Sequence, residues 1–317
     1  MPRLSSVLLF LLALSASADC TSRVLLRTNG PMVSAQMDEG RIYFQLFGER
    51  AIQRETGTAF TLDDPFQSWY VERGTITIPL SQTQLLLVAP DGSRRTIDQP
   101  AAVRGLRTHG GYLYWVEANG DLRRALLSGG PAETVVIGRA SDAKFYYLLL
   151  EDRIVFLDST GLFWQPFGGV PLLLLPRTDI GINEVTAEGV YVSTKSPWDP
   201  NVSTAQILRV PWSGAPVETI YEKTVHGYVP ELSAGAVVSG ATMYIIESRT
   251  EHFFWRTSTL LVQRHGATRE RYSAAIAPFT VLDADEDSIV LGQWINAGGM
   301  RQIVRVCADQ PKTRAAR

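Results

Sequence analysis

The sequence predicts an all-β fold: seven antiparallel meanders of four strands each, ringed about an axis as a β-propeller, with six as the alternative count. Three observations carry this reading. β-branched and aromatic runs alternate with turns containing Gly, Asn or Asp, while helical periodicity is nearly absent. One strand of the meander recurs at near-regular spacing. Runs such as "LLLV" at 85–88 and "LLLL" at 172–175 lack the alternation of a strand with one wet face.

Aligned on their second strands, the units start near Arg41, Thr75, Gly111, Arg153, Gly189, Ala241 and Ser288, at spacings of 34, 36, 42, 36, 52 and 47 residues. Third strands are expected at 51–56, 84–90, 121–127, 161–167, 205–211, 259–265 and 301–307. Turns between second and third strands include Asn119-Gly120, Ser159-Thr160-Gly161 and Asn296-Ala297-Gly298-Gly299. One meander cannot hide both of its apolar faces, whereas a ring of them stacks face on face and leaves only short outer edges. A β-sandwich or two small β domains would leave the spacing unexplained, and no Pro/Gly/Ser linker divides the chain. The unit at 65–99 has the weakest turn signals; merging it with its predecessor gives the count of six.

The ends of the chain make closure testable. The last unit has no fourth strand of its own, because its third strand runs into "ADQPKTRAAR". A spare strand, "SRVLLRT" at 22–28, precedes the first strand of unit one, "MVSAQM" at 32–37. Laid beside 301–306, it completes the last blade and brings Cys20 to Cys307, the chain's 2 cysteines. A disulfide there closes a loop of nearly the whole chain, for which chain-entropy reasoning gives roughly 5 kcal/mol.

Residues 1–18 read as a secretory leader: Arg3, the apolar run Val7–Leu14, then Ala16-Ser17-Ala18. A lipoprotein with Cys20 as the lipidated residue is the competing reading, opposed by Asp19. The expected organisation is a leader (1–18), one propeller domain (19–308) and a flexible tail (309–317). No later segment holds eighteen consecutive apolar residues, so no transmembrane segment is expected in the mature chain. Export places the protein in a periplasm or outside the cell, where disulfides persist. Lys and Arg number 30 against 32 Asp and Glu, without a basic stripe, which argues against a nucleic-acid partner.

"GYLYWVEANGDLRR" resembles the YWTD blade of low-density-lipoprotein-receptor-type propellers, with Tyr114-Trp115-Val116-Glu117 at the signature position. "GVYVST" (189–194) and "MYIIES" (243–248) are looser echoes. "LRRALLSGGPAETV" (122–135) and "ILRVPWSGAPVETI" (207–220) resemble that family's third strand, turn and fourth strand, with Arg124 and Arg209 each four residues before Ser128 and Ser213. Similar repeats occur in bacterial secreted propellers. The resemblance implies the architecture, six blades in the family's known members, and a binding surface; it implies no enzyme activity.

Motifs for chemistry are sparse. His109, His226, His252 and His265 form no metal-ligand pattern, and no G-x-S-x-G elbow appears. No cofactor is expected. "DADEDS" (283–288) departs from the EF-hand spacing, and its Asp283, Asp285 and Asp287 are the one candidate for a structural cation, against a solvated turn. Asn201-Val202-Ser203 fits a glycosylation sequon.

Two long second-to-third-strand connections, 195–201 and 248–257, carry exposed-type aromatics beside charges: Trp198, then Phe253, Phe254 and Trp255. That composition suits a recognition patch, against the alternative that the rings fold over a blade edge. The expected function is a non-catalytic exported propeller that binds a protein, peptide or glycan through rim loops. Two alternatives stand beside it: a hydrolase or lyase at the central channel, drawing on Asp38, Glu117 and the turn at 283–287, and a structural component of the cell envelope.

Overall fold

The computed structural model describes residues 20–62, 69–81, 83–98, 104–142, 145–195, 201–226, 231–251, 255–264, 266–275, 279–294, 300–309 and 313–314. The chain folds as strands β1 (Arg23–Asp38), β2 (Arg41–Leu46), β3 (Ala51–Arg54) and β4 (Gly57–Thr61), followed by β5 (Tyr70–Glu72), β6 (Thr75–Pro79), β7 (Gln84–Val88) and β8 (Arg94–Asp98). The third unit is β9 (Arg104–His109), β10 (Tyr112–Val116), β11 (Leu122–Leu126) and β12 (Glu133–Val136); the fourth is β13 (Tyr146–Leu149), β14 (Arg153–Asp158), β15 (Gly161–Pro166) and β16 (Leu172–Leu175). The fifth is β17 (Ile180–Val185), β18 (Gly189–Lys195), β19 (Val202–Pro211) and β20 (Glu218–His226). The sixth is β21 (Glu231–Ser239), β22 (Thr242–Glu251), β23 (Trp255–Arg264) and β24 (Ala267–Ala275), and the last is β25 (Phe279–Ala284), β26 (Ser288–Trp294) and β27 (Met300–Cys307).

Each unit is an antiparallel meander, and the ring closes as the ends of the sequence require. β1 is one continuous strand serving two blades, so that β25-β26-β27-β1-β2-β3-β4 form a single seven-stranded sheet. Its first half pairs with β27 (Arg23↔Arg305, Val24↔Val304, Arg27↔Gln302), and its second half with β2 (Gln36↔Tyr43, Asp38↔Arg41). The expected separate strands at 22–28 and 32–37 are thus one. Register irregularities between Arg27 and Ser34, around Gly30-Pro31, let it pass from one blade to the next. Cys20 and Cys307 form a disulfide with a Cα–Cα distance of 5.8 Å, and the Cys307 N–H donates to Ser22 Oγ at 2.9 Å. Beyond it, in the stretch read as tail, a short strand β28 (Thr313–Arg314) pairs in parallel with β24.

Burial explains the missing alternation. Second strands lie between two neighbours and bury both faces: Ile42 and Phe44 face the last blade while Tyr43 faces blade 2. Among the described residues, seven apolar clusters are present, one for each of the seven blade-to-blade interfaces. First strands lie against one another about the axis, as in β1 with β5 and β17 with β21. Fourth strands form the perimeter, which is why β8 reads "RRTID" and is largely exposed.

A cross-strand ladder recurs where the sequence repeats. Tyr114 lies opposite Arg124, and Arg124 opposite Glu133; Tyr191, Arg209 and Glu218 repeat the arrangement in blade 5. Arg124 reaches Glu133 at 2.5 Å and stacks on Tyr112 and Phe167, while Arg209 pairs with Glu218 at 2.7 Å. Blade 4 places Trp164 at the arginine's position, where Arg153 covers its ring.

Candidate functional site at the rim of blades 5 and 6

Strand length singles out one sector of the ring. Strands in blades 2 to 4 have three to six residues, whereas β19 to β24 have nine or ten. At about 3.3 Å per residue, the four or so additional residues raise these hairpins by roughly 13 Å. The growth is at the end bearing the second-to-third-strand connections, because β19–β20 pairing continues through Val202↔His226 and β22–β23 pairing through Glu251↔Trp255.

Serine, threonine and charged residues sustain the extension. Thr204 and Thr224 hydroxyls lie 2.9 Å apart, Gln206 donates to Glu222 at 2.6 Å, and the Ser248 and Ser258 hydroxyls lie 3.2 Å apart. The Leu232 N–H donates to Ser203 Oγ at 3.1 Å, which ties the two raised hairpins together. Such cross-strand pairs support a sheet that has water on its outer face.

At the base of the extension is a carboxyl that sequence reading did not single out. Glu247 follows Met243 and Ile245 on the face of β22 turned toward blade 5, and it is only 6% exposed. The Tyr221 hydroxyl donates to its Oε1, and Lys223 Nζ lies 2.5 Å from its Oε2, both reaching across from β20. Burial, then the negative charge of Glu270, push the Glu247 carboxyl up to about 7. Burial, then the Arg249 guanidinium, pull the Lys223 ammonium down. The signal was present in the sequence: "MYIIES" puts an acid where the alternation calls for an apolar residue.

Trp198, Phe253 and Phe254 lie outside the described residues. Trp255 opens β23 opposite Glu251. The strands that flank both aromatic connections therefore end at the raised rim, one pair in each of the two blades.

The channel candidates do not converge. Asp38 accepts hydrogen bonds from the Arg73 and Gly74 N–H groups at 2.8 and 2.6 Å, fastening the next blade's first turn. Glu117 follows β10 at the opposite rim, 3.7 Å from Arg123. Asp285 accepts from Asp287 N–H and from Ser288, and Asp287 pairs with Arg264 at 2.9 Å. Arg264 also meets Asp309 at 2.5 Å, so of the three acids weighed for a structural cation, Asp283, Asp285 and Asp287, the last has a guanidinium partner. Among the described residues, no three His, Cys, Asp or Glu side chains gather as metal ligands. His109 ends β9 as a strand residue.

No family model and no curated protein matches the chain. Solved structures do. The AfRom2 CNH domain superposes with a TM-score of 0.55 at 10% identity, covering 90% of this chain and 98% of that one. YCF48 from Cyanidioschyzon merolae gives 0.54 at 9%, over 90% and 98%. The computationally designed Ika8 protein gives 0.52 at 11%, over 90% and 97%. At such identities these likenesses establish a β-propeller fold and nothing about a ligand.

Proposed function

We propose that this chain is an exported, non-catalytic propeller that binds a protein, peptide or glycan on the raised rim of blades 5 and 6. The observation that carries the reading is that six successive strands of two adjacent blades, β19 to β24, run nine or ten residues each and carry polar cross-strand pairs toward one rim. A rigid ring needs no such extension for its own packing, and a platform with raised, aromatic-bearing connections suits recognition. Trp198, Phe253, Phe254 and Trp255 are the proposed anchors. The disulfide at the chain ends and the leader-like residues 1–18 support export to a periplasm or the extracellular space. The Tyr–Arg–Glu ladder of blades 3 and 5, built from the repeats that resemble YWTD propellers, supports kinship with that group of binding domains.

Replacing Trp198 and Trp255 by Ala tests the reading. Capture of the physiological partner should fall at least about tenfold, the loss of roughly 1.4 kcal/mol of contact, with the melting temperature within about 2 °C of the parent. An unchanged partner profile would remove the rim from consideration.

A further inference from the structure

We propose that the groove between the last blade and blade 1 binds a phosphate-type oxyanion between Arg23 and Arg305. The argument starts from the cross-strand ladder. In blades 3 and 5 the third-strand arginine finds a carboxylate opposite it on the fourth strand: Arg124 with Glu133, Arg209 with Glu218. In the last blade the same position is Arg305, between Val290 on β26 and its fourth-strand partner. That fourth strand is supplied by the start of the chain, and the residue opposite Arg305 is Arg23. The carboxylate is replaced by a second guanidinium.

Like charges directly opposite each other on a sheet are unfavourable unless something of opposite sign lies between them. Among the described residues neither Arg23 nor Arg305 has a hydrogen-bonded or ion-paired side-chain partner, and Arg305 Nε is buried without an acceptor. Both line a groove of about 380 Å³ with Leu25, Met37, Ile42 and Glu55. The Glu55 carboxylate pairs with neither. Arg41 and Arg54 border an adjoining hollow of about 290 Å³ on the other side of Glu55. In that blade too the counter-anion is missing, because Arg54 faces Gly57 on the fourth strand. Two guanidinium forks from facing strands match the oxygens of one tetrahedral dianion. An anion held there would join the N-terminal strand to β27 by charge as well as by hydrogen bonds. This site is independent of the rim described above.

The test is thermal denaturation of the mature, disulfide-bonded protein in inorganic phosphate, in glycerol phosphate and in acetate, at matched ionic strength. Phosphate at 10 mM is expected to raise the wild-type melting temperature by about 2 °C or more over acetate. Arg23→Gln is expected to melt higher than wild type without phosphate and to lose the phosphate response; Arg305→Gln should lose it as well. Arg177→Gln, whose carboxylate partner Asp179 is built in, should keep it. An equal response to glycerol phosphate would assign the site to phosphate esters, and a response to inorganic phosphate alone would assign it to the free ion. No phosphate-specific rise in the wild type, or a rise that survives both substitutions, overturns the proposal.

Discussion

Two interfaces of the ring, the one between the last blade and blade 1 and the one between blades 5 and 6, bury similar apolar side chains and differ in what is added. The first packs Met32, Ile42 and Phe44 against Val290, Met300 and Ile303, and it is reinforced by a disulfide between the chain ends. The second packs Ile207 and Tyr191 against Leu232, Met243 and Ile245, and then buries a carboxyl at the foot of a raised rim. Apolar packing is common to both and sets the stacking of blades. Covalent closure is placed where the chain would otherwise part, and polar burial where the strands grow long. The lesson is that covalent closure and polar burial are assigned to different sectors of one repeating frame.

The largest expected effect breaks the first interface. Cys20→Ser with Cys307→Ser removes a link across 287 residues of sequence, and chain entropy sets the loss at up to about 5 kcal/mol. Urea denaturation should show a lower midpoint for the double variant, and reducing agent should bring the wild type to the same value. A midpoint unchanged by either would show that strand pairing alone holds the ring.

The second prediction concerns the other interface and its pH dependence. Because the folded-state pKa of Glu247 is raised from 4.5 to about 7, folding favours its protonated form. Its contribution is full below about pH 4.5 and is lost as pH rises through about 7. Glu247→Gln, which mimics the protonated acid, should therefore lose less stability than wild type between pH 5 and pH 8. Parallel curves for the two proteins would contradict the buried acid. Glu247→Ala should be costlier than Gln at both pH values, by about 1–3 kcal/mol, since it strands the Tyr221 hydroxyl and opens a void.

The smallest effect tests the ladder that blade 5 has and the last blade lacks, where Arg305 meets Arg23 in place of a carboxylate. Glu218→Gln weakens a pair on the ring's perimeter, with Arg209 at 2.7 Å and the glutamate about half exposed. A change of about 0.5 kcal/mol or less is expected, because Arg209 retains Glu188 at 2.6 Å. A loss several times larger would mean that the ladder, rather than the apolar clusters, sets the blade geometry.

Much of this architecture is legible in the residues, and the reason is period. The second strands expected from Arg41, Thr75, Arg153, Gly189 and Ser288 begin at those residues, because burial on both faces demands the β-branched and aromatic runs that mark them. The weakly marked unit at 65–99 is a full blade, β5 to β8. Its apolar strand "LLLV" is buried as expected, and its turns are simply less rich in glycine. Closure was readable from Cys20 and Cys307, since two cysteines at opposite ends admit one pairing. What stayed hidden depends on which neighbour a side chain faces. Glu247 shows in sequence only as an acid at an apolar position of the alternation, and its Tyr221 and Lys223 partners appear only when blade 5 lies against it. Arg23 looks like an ordinary surface residue until pairing sets it opposite Arg305. The connection expected at 248–257 is shorter, since β22 runs to Glu251 and β23 begins at Trp255, and β19 begins at Val202 rather than at 205, because Ser- and Thr-rich runs carry a weak strand signal until they pair.

Ring closure by the N-terminal strand is tested most directly by amide hydrogen exchange of the oxidised protein. Residues 23–27 and 302–306 should exchange as slowly as the buried second strands of blades 3 and 4, and should speed up together in the Cys20→Ser, Cys307→Ser variant. Fast exchange across 23–27 in the oxidised protein, with 302–306 unaffected by the substitutions, would contradict it.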